Sequence, residues 1–198
     1  MADDKRGREK QARNADRRQR TRELNEALKR GDETEPPIDE ADLIDFDAEL
    51  ESIEFPTTGS EIVARLGDYE LGSTDERYTV EELVPEADEP FESPSDLRVW
   101  VQRPTVAAAM KRVIEAVETL PNADLRGSQR DAYEKTFREL KEVAPNDDDE
   151  GIEVIGDWIV ERIHDDEKLP GSRAVRREAA AFCRRNGYAI SNDEWLGI

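Results

Sequence analysis

Residues 151–163, GIEVIGDWIVERI, decide how this chain folds. Ile152, Ile155, Trp158, Ile159 and Ile163 recur at steps of three and four, the spacing that gathers apolar side chains on one side of a helix. In a chain that is 39% charged, so apolar a helix is expected at the centre of the core. The same period extends upstream. TVAAAMKRVIEAVETL (105–120) sets Val106, Met110, Val113, Ile114, Val117 and Leu120 on a broad stripe, and SQRDAYEKTFRELKEV (128–143) sets Tyr133, Phe137 and Leu140 behind Ser128, a candidate cap. Downstream, PGSRAVRREAAAFCRRNGY (170–188) supplies a fourth helix. The breaks PNADLRG, APNDDDE and DDEKLPG are short, which predicts antiparallel packing of neighbours. The segment GYAISNDEWLGI carries Tyr188, Ile190, Trp195, Leu196 and Ile198, and is expected to dock on the bundle because so many apolar groups are not left in water. Residues 104–198 therefore read as a four-helix C-terminal body.

Residues 55–103 read as a smaller unit. In FPTTGSEIVARLGD, Thr57 and Thr58 are candidate N-caps for a helix that carries Ile62, Val63 and Leu66 and stops at Gly67. YEL and RYTV flank the turn-rich GSTDE and are expected to pair as a short hairpin. TVEELV reads as one or two helical turns, and FESPSDLRVWVQR as a helix capped by Ser93 or Ser95 and ended by Pro104. About 50 residues make a marginal core alone, so this unit is expected to lean on the helices that follow.

Charge divides the remainder. Residues 32–54 hold eleven acids and no base, beginning with a DETEPP linker. Leu43, Phe46, Leu50 and Ile53 then make a short acidic amphipathic helix whose stripe covers either the chain's own core or a partner. Residues 1–31 hold eleven bases and six acids, and only Leu24, Ala27 and Leu28 form an apolar patch, so they read as a mobile, partly helical basic arm. The fold class that results is mainly α: a small α+β central unit with a short hairpin, followed by a four-helix C-terminal body and preceded by a mobile basic arm.

The whole chain carries a formal charge of −20, with 22 arginines against 7 lysines. Such an excess of acid suits a protein kept hydrated in very high salt. Acidic disorder has the same composition, but the helical period after about residue 105 argues against it there. No apolar run reaches the 18 residues or so of a membrane span, and MADDKRGREK lacks the apolar stretch of a secretory signal, so no membrane partner and a cytoplasmic location are expected. Cys183 is the single cysteine, which excludes an internal disulfide and any multi-cysteine metal site.

The fourth helix holds five arginines and one acid, Glu178. At 100° per residue from Arg173, Arg184 falls at about 20°, Arg177 at about 40° and Arg176 at about 300°, with Arg185 aside at about 120°. Val175, Ala179, Phe182 and Cys183 lie opposite and are expected to face the core. A stripe of planar guanidinium groups suits bidentate contact with phosphate, which makes Arg173, Arg176, Arg177 and Arg184 candidate binding residues. Arg13, Arg17, Arg18, Arg20 and Arg22 of the arm add further contacts. The competing readings are that the helix arginines neutralise NDDDE (146–150) or HDDEK (164–168), and that the arm folds back on the acidic segment. At molar salt the Debye length is about 3 Å, so a polyanion binder working there needs shape or stacking as well as charge.

No arrangement of defined chemistry appears. His164 is the single histidine and sits in ERIHDDEK at a helix end, and Cys183 lies on an apolar face. No phosphate-cradling glycine motif and no calcium-loop spacing occurs, so no catalytic residue, metal or cofactor is expected.

MADDKRGREKQAR with its PP linker, FPTTGSEIVARLGDYEL, FESPSDL and RRNGYAISNDEWLGI together resemble an uncharacterised family of short acidic proteins from halophilic archaea, over most of the chain. The central FPTT and FESPSDL segments are also similar to a small bacterial domain of unknown function, from which GDYELGSTDERYTV departs. The resemblance implies a halophilic cytoplasm and a compact, mostly helical fold, and brings no activity and no catalytic residue. The expectation is a non-enzymatic protein that binds nucleic acid or a ribonucleoprotein through the two basic segments. The alternative is a protein–protein adaptor that docks through the acidic helix or the central unit. An enzyme would need a pocket that joins His164 to Cys183.

Overall fold

The computed structural model describes residues 38–73, 76–88, 90–121, 123–125, 127–143 and 149–188. The arm at 1–31 and the tail from 189 onward lie outside them. The chain is mainly helical, with two short antiparallel strand pairs.

Helix α1 (Glu40–Leu50) is the acidic helix, and its stripe is used at home: Leu43, Phe46 and Leu50 are buried, as are Ile38 before it and Ile53 after it. Strand β1 (Thr57–Thr58) runs into helix α2 (Gly59–Leu66). Thr58 caps α2 by accepting from the Glu61 amide at 3.2 Å, while the Glu61 carboxylate accepts from the Thr58 amide at 3.1 Å and the Thr57 hydroxyl at 2.9 Å. Two otherwise orphaned amides are thus satisfied reciprocally. Gly59 opens the helix against residues 85–87, where a Cβ would stand 1.9 Å from the Pro85 carbonyl oxygen.

Strands β2 (Glu70–Gly72) and β3 (Arg77–Thr79) form the expected hairpin, with Leu71 opposite Tyr78. Thr79 and Glu82 repeat the capping box at helix α3 (Val80–Leu83). Strand β4 (Pro90–Phe91) pairs with β1, Thr57 opposite Phe91, a pairing the sequence reading does not contain. Ser93 caps helix α4 (Pro94–Val101), accepting from the Asp96 amide at 3.3 Å, and Pro94 occupies the first turn, where its missing N–H costs nothing.

The C-terminal body consists of α5 (Pro104–Glu118), α6 (Gly127–Val143), α7 (Glu150–Asp166) and α8 (Ser172–Asn186). Ser128, expected to cap α6, lies inside its first turn. Helix α7 packs on α5, α6 and α8, and Ile152, Ile155, Ile159 and Ile163 are all buried, which makes it the centre of the body. Trp158 is only half-buried, because it sits about 100° around the helix from Ile159. Arg162 covers its ring at 5.5 Å.

The two units share material. Ala107 of α5 belongs to the core of the central unit, while Val106, Met110 and Val113 belong to that of the body. Trp100 packs against both and donates from Nε1 to the Leu83 carbonyl at 2.7 Å. The loop after α3 is held by carboxylates of α5: the Glu86 amide donates to Glu115 at 3.0 Å and the Asp88 amide to Glu118 at 3.1 Å. Buried Arg103 reaches Glu134 of α6 at 3.5 Å. The central unit therefore leans on the helices that follow it. No helix among the described residues is long and apolar enough to cross a membrane.

Candidate nucleic-acid interface

Helix α8 is fixed at both ends. At its start the Pro170 carbonyl accepts from Gln129 Nε2 at 2.8 Å and from the hydroxyl of Tyr133 on α6. Tyr133 is buried, and that burial pushes its pKa up to about 12 against a weaker opposing hydrogen bond from Gln129. At its end Gly187 adopts the left-handed conformation, φ 73°, and the Tyr188 amide donates back to the Cys183 carbonyl at 2.9 Å. Glycine is the residue that takes this conformation without strain, and the closure satisfies carbonyls the helix leaves open. The Tyr188 ring then lies 5.9 Å from that of Phe182.

Val175, Ala179, Ala180, Phe182 and Cys183 are buried between α6 and α7. Arg173, Arg177 and Arg184 are exposed on the opposite side. Arg176 is different. At about 300° it falls within the buried arc, between Ala179 and Ala180, so it is half-buried and its Nε is enclosed without a hydrogen-bond partner. Its stem covers core while its terminal nitrogens reach outward. Three of the four candidate helix residues thus form one open face and the fourth borders it. Arg185 points aside and pairs with Glu178 at 3.0 Å.

Elsewhere most of the arginines join one element to another or pair along one, with exposed Arg65 of α2 an exception that makes no ion pair among the described residues. Arg98 of α4 pairs with Asp47 of α1, and Arg112 of α5 with Asp157 of α7. Arg77 pairs with Glu70 across the hairpin at 3.0 Å, and Arg162 with Asp166 at 3.8 Å along α7. By contrast, among the described residues none of Arg173, Arg176, Arg177 and Arg184 makes a hydrogen bond or an ion pair from its side chain. Three of the acids nominated to neutralise them have other partners, while among the described residues no ion pair joins Asp165 or Glu167 to these arginines. Asp149 of the NDDDE loop pairs with Lys141 at 2.6 Å, Glu150 accepts from the Tyr188 hydroxyl at 3.4 Å, and Asp166 takes Arg162. Asn146, Asp147 and Asp148 lie outside the described residues, as do Arg13, Arg17, Arg18, Arg20 and Arg22 of the arm.

Cys183 is fully buried within the body, whereas His164 is exposed on α7. Among the described residues no group of three acids, cysteines or histidines is placed to hold a metal ion. An open cleft of about 540 Å³ beside α2 is lined by Arg65, Tyr69, Glu81 and Glu86 among others. Burial raises the Tyr69 pKa, and Asp45 nearby adds to the shift.

One exposed residue escaped the sequence reading. Ile44 of α1 is 58% exposed, next to buried Leu43 but off its stripe. An isoleucine out of phase in an acidic amphipathic helix is the signal that points to it. The chain matches no protein-family model, no curated protein and no solved structure.

Proposed function

We propose that the protein is a non-enzymatic binder of polyanions, a nucleic acid or a ribonucleoprotein, that works in a high-salt cytoplasm. Arg173, Arg177 and Arg184 meet phosphates, Arg176 contacts them from the border of the face, and the arm contributes Arg13, Arg17, Arg18, Arg20 and Arg22. One observation supports this reading over self-neutralisation: on a helix of a −20 chain, four guanidinium groups have no carboxylate partner among the described residues, while Arg77, Arg98, Arg112, Arg162 and Arg185 all do. Guanidinium groups held by a capped helix and left unpaired are poised for bidentate contact with phosphate oxygens. Of the two surfaces of the adaptor reading, the apolar stripe of the acidic helix is buried in the chain's own core, which leaves the central unit.

Purification from native high-salt lysate with and without nuclease, for the wild type and for Arg173→Gln/Arg177→Gln/Arg184→Gln, tests the proposal. Nuclease-sensitive material should co-elute with the wild type and be depleted from the variant. Equal recovery of nucleic acid by both proteins refutes the assignment to α8.

A further inference from the structure

We infer that the outer face of α1 is the seat of the chain's own basic arm, through residues 17–30. Two features single out this face. Ala41, Ile44 and Ala48 follow one another at steps of three and four along it, all exposed, and Ile44 is the most exposed large apolar side chain among the described residues. Exposed Glu40 flanks this stripe on one side and exposed Asp45 and Glu49 on the other. The face is thus an apolar strip between two acidic margins, and it suits a segment that brings apolar side chains together with net positive charge.

Residues 17–30 bring both, with six bases against two acids. On a helix, Leu24 at 0°, Ala27 at about 300° and Leu28 at about 40° share one side with Arg17 at about 20° and Arg20 at about 320°. Residues 1–31 have five more bases than acids, whereas 32–54 have only acids, so the two segments attract at any moderate salt. Reach is sufficient. Ile38 is buried and the Asp39 amide is tied to the Gly72 carbonyl at 2.8 Å, which fixes where α1 begins. The seven residues GDETEPP between Arg30 and Ile38 span up to roughly 24 Å, while the 11 residues of α1 are about 16 Å long. The linker can therefore return the arm along the whole of α1.

Docking places Arg17 and Arg20 beside carboxylates. These are two of the arginines assigned to polyanion contact, so the seat and the polyanion compete for them; that consequence rests on the proposed function, whereas the docking does not.

Limited trypsin digestion of the full chain, without nucleic acid and at about 0.1 M salt, reads the docking alone. Cleavage after Arg20, Arg22, Lys29 and Arg30 should be about tenfold slower in the wild type than in Ile44→Glu, which changes an exposed residue and leaves the core intact. Leu24→Asp, altered on the arm side, should lose the same protection. Equal cleavage of wild type and Ile44→Glu overturns the inference. So does protection that grows with protein concentration, which would assign the face to a second copy.

Discussion

The arginine face of α8 can be weighed by salt. Each phosphate neutralised releases condensed counterion, and log K falls with log salt by about 0.7 per contact on a single strand and about 0.9 on a duplex. Replacing Arg173, Arg177 and Arg184 with glutamine should therefore lower the slope by about 2 on single strands and about 2.7 on duplex. Across a fourfold rise in salt, the wild type should lose about 18-fold more single-strand affinity than the variant. Stability should stay within about 0.5 kcal/mol, because all three side chains are exposed and glutamine matches arginine in helix propensity. Fluorescence anisotropy with labelled RNA over a salt series gives the slopes, and urea unfolding gives the control. Arg185→Gln separates placement from charge. Its guanidinium is already paired with Glu178, so its loss should change the slope by less than one contact. The lysine triple variant separates charge from shape: it should keep the slope and lose affinity, because lysine cannot make the bidentate contact. A glutamine triple variant with the wild-type slope would refute the assignment.

Four structural predictions accompany it. Gly59→Ala should destabilise the protein by roughly 2–4 kcal/mol in urea unfolding, because the new methyl meets the Pro85 carbonyl at 1.9 Å and both sides of the contact are backbone. Thr58→Ala should cost about 1 kcal/mol through loss of the α2 cap. Hydrogen bonds from the Thr58 amide and then from Thr57 hold Glu61 below its ordinary 4.5, so its share of stability is present above that pH and lost as pH falls; the gap between wild type and Glu61→Gln should close in acid. Tyr133→Phe should cost about 1 kcal/mol, since Gln129 still satisfies Pro170. The raised Tyr133 pKa makes its stabilisation complete below about 10 and lost between there and about 12, so alkaline melts of wild type and variant should converge.

The stripes were legible because helix burial has a period. Leu43, Phe46 and Leu50, the four isoleucines of α7, and Val175, Ala179 and Phe182 all face inward as their spacing predicts. Caps were legible where a threonine or serine precedes the apolar run, as at Thr58 and Ser93. What was not legible depends on partners distant in sequence. Strands β1 and β4 are two residues each, too short to alternate, and meet only because the central core brings Thr57 to Phe91. The amides of Glu86 and Asp88 find carboxylates 29 and 30 residues away. Arg176 was assigned to the open face by angle alone. The width of the buried arc is set by how many neighbours a helix has, and α8 has two in the body, α6 and α7.

Elsewhere a guanidinium finds a carboxylate on an adjoining helix: Arg112 reaches Asp157 from α5 to α7, and Arg98 reaches Asp47 from α4 to α1. Arg173, Arg184 and Arg177, at about 0°, 20° and 40°, stand just outside buried Ala180 at about 340° and find none among the described residues, and Glu178, the single acid of that helix, is engaged by Arg185. With 49 acids against 29 bases, carboxylates are plentiful in the chain as a whole. The unpaired state of this face therefore follows from where the acids stand, on other elements and some of them in other pairs. Arg173 and Arg177 are one turn apart and repel by a few tenths of a kcal/mol, a cost that no acid on the helix offsets and that a bound phosphate would reverse. The same charge that folding leaves uncompensated is the charge available to a ligand.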